Sequence, residues 1–320
     1  CIGRIRYHRR DSLGGYIRWH IGDRIYRQSG LQRYLERFYG APDSAIDVEF
    51  ARQRLQEMFD GYTSTQLAKK FIGQLKGHLP GGQPPSRWIG WVPPKQGFGA
   101  VYSAIELLLR KEEVDIRTSS SIQQIRRVDT GFEITTADGT ERFDRVISTI
   151  PITSLLGYLG LRPASQLRYL TLLSLFYRLS GSVGYNGAFL YNFTPDGEWK
   201  RITTFSKYFG QHGGDHYFTV ECTLPEGDRA TVAEKQQRVE EHLQRLGLMH
   251  GTFHREGSSV TPNAYPIFEQ GRTPFIQQSR QMVIDAGIEV AGRQGQFRYI
   301  PSGVVAKESH QLASRLRASA

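Results

Sequence analysis

The stretch Ala291-Gly292-Arg293-Gln294-Gly295-Gln296-Phe297-Arg298-Tyr299 restricts the fold more than any other part of this chain. A Gly-Arg-x-Gly run closes a short apolar strand over 288–291, and a helical pattern over 302–316 follows at once. Glycines at such a turn let backbone N–H groups approach an anionic group closely. The start of the next helix adds unpaired donors and a positive dipole end. Read alone, the run is equally a strand end and helix cap. It gains meaning from a second glycine pair, Gly14-Gly15, which follows a strand-like segment over 2–7 near the other end of the chain.

With 320 residues between and around these turns, a large core and two subdomains are expected. Apolar residues make up 39% and charged ones 22%, the balance of a soluble α/β protein. The longest nearly uncharged apolar run covers only 169–177, against the roughly 20 residues that a membrane span needs. The first residues are arginine-rich and lack the apolar core of a signal peptide. Cys1 and Cys222 give neither metal spacing nor a disulfide framework, so a reducing, cytoplasmic setting is expected.

The net charge of +10 raises the question of nucleic acid. Only nine of the 41 basic residues are lysine, and just Arg4, Arg6, Arg9 and Arg10 cluster. No recognition-helix, RNP-type or zinc-finger pattern accompanies them; an arginine-rich genome and anionic ligands account for the charge as well, so a nucleic-acid partner is not expected. His212-Gly213-Gly214-Asp215-His216 and the pair His250 and His254 invite a metal reading. The glycine pair makes the first a turn, and no carboxylate triad or CxxC supports either, so no metal is expected. No Ser–His–Asp order or paired carboxylates point to hydrolysis.

Apolar spacing predicts helices over 31–38, 48–59 and 65–75, ended by a Gly/Pro-rich linker over 79–94. Gly97-Phe98-Gly99 opens a helix through residue 109. Strands are expected over 114–117, 122–128, 132–136 (turned by Asp138-Gly139) and 145–149. A run of strands follows over 172–179, 188–193, 200–205 and 217–223, with Pro195-Asp196-Gly197 as one turn. A helix over 230–246, strands near Thr252 and Val260, and a helix over 275–285 complete the pattern. It describes a mixed α/β chain with an inserted antiparallel sheet.

In this order the motifs resemble the FAD-dependent amine oxidase and protoporphyrinogen oxidase superfamily. Tyr7-His8-Arg9-Arg10-Asp11-Ser12-Leu13-Gly14-Gly15-Tyr16-Ile17-Arg18 is similar to the end of its first flavin-binding unit, with His8 at the family's acidic position. The family's Gly-x-Gly-x-x-Gly turn would lie upstream of Cys1, so the chain reads as a fragment whose first βα unit is missing. Pro93-Pro94-Lys95-Gln96-Gly97-Phe98-Gly99 resembles the family's glycine-rich start of a helix near the flavin. Asp144-Arg145-Val146-Ile147-Ser148-Thr149-Ile150-Pro151 resembles its strand under the cofactor, and Gly292-Arg293-x-Gly295 with the following helix resembles its second flavin motif.

The resemblance implies that Gly14, Gly15, Arg18, Ile122, Thr149, Gly292, Arg293, Ser302, Gly303 and Val304 contact FAD. A Rossmann-like domain would comprise 1–30, 93–158 and 285–320, with a helical cap over 31–92 and an antiparallel-sheet substrate domain over 159–284. Phe59-Asp60-Gly61-Tyr62-Thr63, Trp199-Lys200-Arg201-Ile202-Thr203 and His216-Tyr217-Phe218-Thr219-Val220-Glu221 resemble the UDP-galactopyranose mutase branch. That branch implies Arg201 and Tyr62 as substrate-binding residues and a nucleotide sugar as the small-molecule partner. Its second diphosphate arginine corresponds to Leu170 here. The implied function is an FAD-dependent oxidoreductase whose flavin accepts a hydride. A UDP-sugar mutase-like flavoenzyme and a cofactor-free sugar-nucleotide-binding relative stand beside it, and no catalytic acid or base is assigned.

Overall fold

The structure is a computed structural model that describes residues 11–54, 94–224, 228 and 230–318. Tyr62, the helix expected over 65–75 and most of the Gly/Pro linker lie outside the described residues. Among the described residues four helices come first: α1 (Leu13–Ile21), α2 (Asp23–Gln28), α3 (Leu31–Tyr39) and α4 (Val48–Arg54). Gly14-Gly15 therefore belongs to the first turn of a helix, where an open turn was expected. Ser12 caps it by accepting from the Gly15 N–H at 3.2 Å, and Leu13 and Ile17, one turn apart, are fully buried.

Helix α5 (Phe98–Lys111) leads into a three-stranded antiparallel meander, β1 (Ile122–Val128), β2 (Gly131–Thr136) and β3 (Gly139–Phe143). Strand β3, exposed at every position, carried no apolar signal in the sequence. The strand expected over 114–117 is not formed; that segment has no ladder partner among the described residues. Next come β4 (Ile147–Ser148) and α6 (Ile152–Tyr158).

A larger sheet follows, built from β5 (Tyr169–Val183), β6 (Phe189–Tyr191), β7 (Trp199–Thr204), β8 (His216–Leu224) and, beyond α7 (Ser206–Phe209) and α8 (Val232–Arg245), β9 (Met249–Pro266). It is antiparallel throughout, in the order β6-β7-β8-β5-β9. The two strands expected near Thr252 and Val260 are one 18-residue strand running along β5. On β5, Leu173, Leu175, Tyr177 and Leu179 alternate into a buried cluster with Trp199, Ile202, Phe218, Val220, Val239 and Leu243. The period of two fixes which face meets α8, whose start is held by a reciprocal cap between Thr231 and Glu234.

The chain ends with α9 (Thr273–Asp285), β10 (Glu289–Val290), α10 (Gly292–Gly295) and α11 (Ser302–Ala318). Strand β10 pairs in parallel with β4, Glu289 opposite Ile147 and Val290 opposite Ser148. A second buried cluster joins this end to α1–α4 and the meander through Leu13, Leu35, Phe38, Ile125, Ile152 and Phe297, among others. Two segments more than 250 residues apart in sequence are thereby brought into one core.

Candidate active site

Tyr265, near the end of β9, packs against the buried cluster that holds Phe38. Its ring stacks on Tyr299, with centroids 5.3 Å apart at 24°, and packs on Phe38 of α3 at 5.4 Å. Three cations surround this aromatic group. The Arg293 guanidinium lies 4.6 Å from the Tyr299 centroid and 5.2 Å from that of Tyr265. The Lys200 ammonium lies 4.4 Å from the Phe38 centroid and 4.5 Å from that of Tyr265. Arg201 completes the set, donating to Glu221 and facing Phe189 at 6.0 Å. Aromatic faces attract cations, and more strongly where water is excluded.

Several donors here lack acceptors. Arg293 Nε and Nη2 and Arg201 Nε are buried atoms with no hydrogen-bond partner among the described residues. A buried donor left unmatched costs about 1–3 kcal/mol, more when charged, so these positions favour an anionic ligand. Tyr34 of α3 meets Tyr191 at 5.9 Å and Phe193 at 5.0 Å, edge to face, extending the aromatic wall. Helix α3 is fastened there by Arg37, which donates to the Asn192 and Thr194 carbonyls at 3.0 and 2.8 Å. Gly30, at its start, faces the Phe193 carbonyl so closely that a Cβ would sit 2.0 Å from the oxygen.

The cluster shifts its own ionisations. Burial lowers the Lys200 ammonium to about 8; Glu221 works against that shift and the Arg201 charge adds to it. Burial also opposes the Arg201 charge, but Glu221 more than compensates and holds that guanidinium above its usual range. Burial, with Tyr299 beside it, pushes the Tyr265 hydroxyl up to about 12. All three groups therefore carry their ordinary charges at neutral pH.

The second group of sequence-derived residues gathers where β4 and β10 end. The Ala291 N–H donates to the Ser148 carbonyl at 2.9 Å, which sets Thr149 beside Gly292. Gly292 has φ +73° with open space where a Cβ would point, and Gly295 approaches the Ser148 carbonyl so closely that a Cβ would lie 2.8 Å from it. Ser302, Gly303 and Val304 form an exposed start to α11, where the Val304 and Val305 N–H groups turn back to Pro301. These features suit a phosphate-bearing planar cofactor: a permissive turn, an exposed helix start and an arginine with unmatched donors. At the other end, Gly14 is filled from outside, since a Cβ there would lie 2.4 Å from Asp43 Oδ2. Arg18 is held by Asp43 at 2.8 Å and Asp23 at 3.0 Å. Ile122 is paired in the meander opposite Thr136. Gly14 and Arg18 are thus committed to protein contacts, while Gly292 and Gly303 face open space.

The sequence matches the family described as flavin containing amine oxidoreductase over residues 27–293. The chain belongs to that family. Its fold resembles reduced UDP-galactopyranose mutase, with a TM-score of 0.71 at 16% identity over 93% of this chain and 67% of the other. It also resembles a protoporphyrinogen oxidase candidate from Exiguobacterium sp. 255-15, with a TM-score of 0.61, 18% identity and coverage of 88% and 62%. A third similar structure is a CLA-producing fatty acid isomerase from P. acnes, with a TM-score of 0.62, 14% identity and coverage of 98% and 69%. The chain spans about two thirds of the length of each of these structures. No curated protein matches by sequence.

Family membership bears out the flavin-enzyme reading and the mixed α/β fold with its antiparallel sheet. Among the described residues no helix is long and apolar enough to cross a membrane, and no group of His, Cys, Asp and Glu could hold a metal ion. Arg201 and Arg293 are legible in the sequence, whereas Lys200, Phe38, Tyr34 and Tyr265 receive no role from it. Lys200 carried no signal of its own, because its setting is made by α3 and β9, far away in sequence.

Proposed function

We propose that this chain is an FAD-dependent oxidoreductase acting on a small anionic molecule. The observation that carries the reading is the pair of half-buried arginines, Arg293 and Arg201, whose buried Nε and Nη2 donors are unmatched near Tyr265. Arg293, the Gly292 turn, Thr149 and the start of α11 at Ser302, Gly303 and Val304 would hold the cofactor. Bound there, a flavin supplies a hydride acceptor at N5. Arg201 fixes the substrate's anionic group through its unpaired Nε, while Glu221 holds the guanidinium in place. Tyr34, Tyr191 and Tyr265 supply aromatic surface beside it that orients the substrate. Gly14, Gly15, Arg18 and Ile122 remain in the proposed cofactor set on the strength of the sequence resemblance alone. Tyr62 stays a substrate candidate outside the described residues.

A second reading, a UDP-sugar mutase-like flavoenzyme, is favoured by Arg201. An arginine fork beside several tyrosines suits a diphosphate. Both readings require flavin. Mixing the purified protein with FAD and recording the visible spectrum tests them together. Retained, perturbed flavin bands are expected, with retention weakened about tenfold or more in Arg293→Met, which loses a charged contact. Bands identical to free FAD, fully removed by gel filtration, contradict both and leave a cofactor-free anion-binding protein.

A further inference from the structure

Lys200 and Arg201 are neighbours on one strand, and neighbours on a regular strand point to opposite faces. Here both reach the same carboxylate. Lys200 Nζ lies 3.4 Å from Glu221 Oε2, and Arg201 donates to Glu221 Oε1. The register explains how. Trp199 faces Cys222 and Arg201 faces Glu221, so two steps along β7 correspond to one along β8, and Lys200 is the additional residue. A bulge re-aims side chains in this way at the cost of a ladder position. It turns an ammonium inward, to 3% exposure, between Phe38 and Tyr265.

We infer that Lys200 is a positioning residue for anion binding. It neutralises Glu221, so that the carboxylate holding Arg201 in place does not repel the substrate's negative group. This rests on the reading of Arg201 as the substrate's anion clamp. Without Lys200 the Arg201–Glu221 pair is neutral overall and offers an anion little net attraction. With Lys200 charged the three groups sum to +1 beside the unmatched Arg201 Nε. The groups facing Lys200 are Glu221 and Cys222 on β8, Arg201 on its own strand, Tyr265 on β9 and Phe38 on α3. Cys222 stays a thiol, since burial pushes it up to about 12. Tyr265, at about 12, stays neutral below that range. Of the groups named, the one that changes charge between about pH 7 and 9 is then Lys200 itself, lowered to about 8 by its burial.

The test is a calorimetric titration with UDP at pH values from about 7 to 9, where its phosphates, ionising near pH 6, hold constant charge and its uracil N3–H, a far weaker acid, stays mostly protonated. Wild type should lose about tenfold in affinity as pH rises through 8. Lys200→Met should bind about tenfold more weakly at pH 7 and show no such fall. Lys200→Arg, which cannot deprotonate, should bind as tightly as wild type at pH 7 and hold that affinity to about pH 9. One pH profile shared by wild type and both variants would overturn the inference and leave Lys200 a packing residue. Arg201→Ala separates this failure from that of the underlying reading. If its UDP affinity equals wild type, the clamp itself is wrong. The wild-type profile needs no substitution, so a misfolded variant does not shield the inference. A flat wild-type profile contradicts it directly.

Discussion

The five-stranded sheet and the parallel pair β4–β10 occupy opposite ends of a range. The first buries long alternating faces of β5, β7 and β8 against α8, and Trp199, Leu173 and Val220 are almost fully enclosed. The second has two residues per strand, with Ile147 half exposed, although parallel strands ordinarily lie covered on both faces. Helix α5 extends the contrast: none of its residues is buried, and Phe98, Tyr102 and Leu107 are each more than 60% exposed. The sheet therefore supplies stiffness, and the open end supplies access. Arg201 and Lys200 are built on the stiff part, where holding charges beside one carboxylate demands a rigid frame. Gly292, Thr149 and the start of α11 sit on the open part, where the proposed cofactor would approach backbone.

Substitutions on the two sides should separate these roles. Trp199→Ala removes the largest enclosed side chain of the sheet and its 2.8 Å bond to His242 Nδ1, and should cost about 3–5 kcal/mol in denaturant unfolding. A cost below 1 kcal/mol would show that the sheet is not the rigid half. On the open side, Gly295→Ala should cost about 1–3 kcal/mol, because its Cβ would press on the Ser148 carbonyl. No loss there would mean that the turn is looser than described.

A pH scan probes the cation built into the sheet. Burial lowers Lys200 from 10.5 to about 8, so between these values the unfolded chain holds a proton that the folded chain has shed. Stability attributable to this group should then rise with pH across that window, by about 1–3 kcal/mol, and the rise should vanish in Lys200→Met. A fall with pH in the difference between the two proteins would reverse the assigned direction. The smallest effect is expected from Leu108→Ala on α5, within about 0.5 kcal/mol, since that side chain is 61% exposed. A core-like cost would break the comparison and place α5 in a packed setting.

Much of this division was legible in the chain. Period-two apolar spacing over 172–179 and 217–223 marked the sheet, because each strand packs one face and the pattern is local. Strand β9 was seen only as two pieces, since most of its first 14 residues are exposed and show no alternation. In the sequence alone Gly14-Gly15 points to a turn, because glycine pairs favour turns and the Ser12 cap with Leu13 and Ile17 is the weaker signal. Arg201 was legible through its neighbours on β7. The role of Lys200 was not, because it arises from a bulge and from Phe38 and Tyr265, more than 60 residues away on either side. Local pattern reveals strands; it does not reveal which distant rings enclose a charge.

The central claim joins the two halves: a flavin on the open side faces an anion held by Arg201 on the stiff side. Titrating the FAD-loaded protein with UDP while recording the visible flavin bands tests it most directly. The account predicts a saturable spectral change in the wild type that is lost in Arg201→Ala, with flavin content equal in both. An identical change in the two proteins, or none in the wild type despite bound flavin, would contradict it.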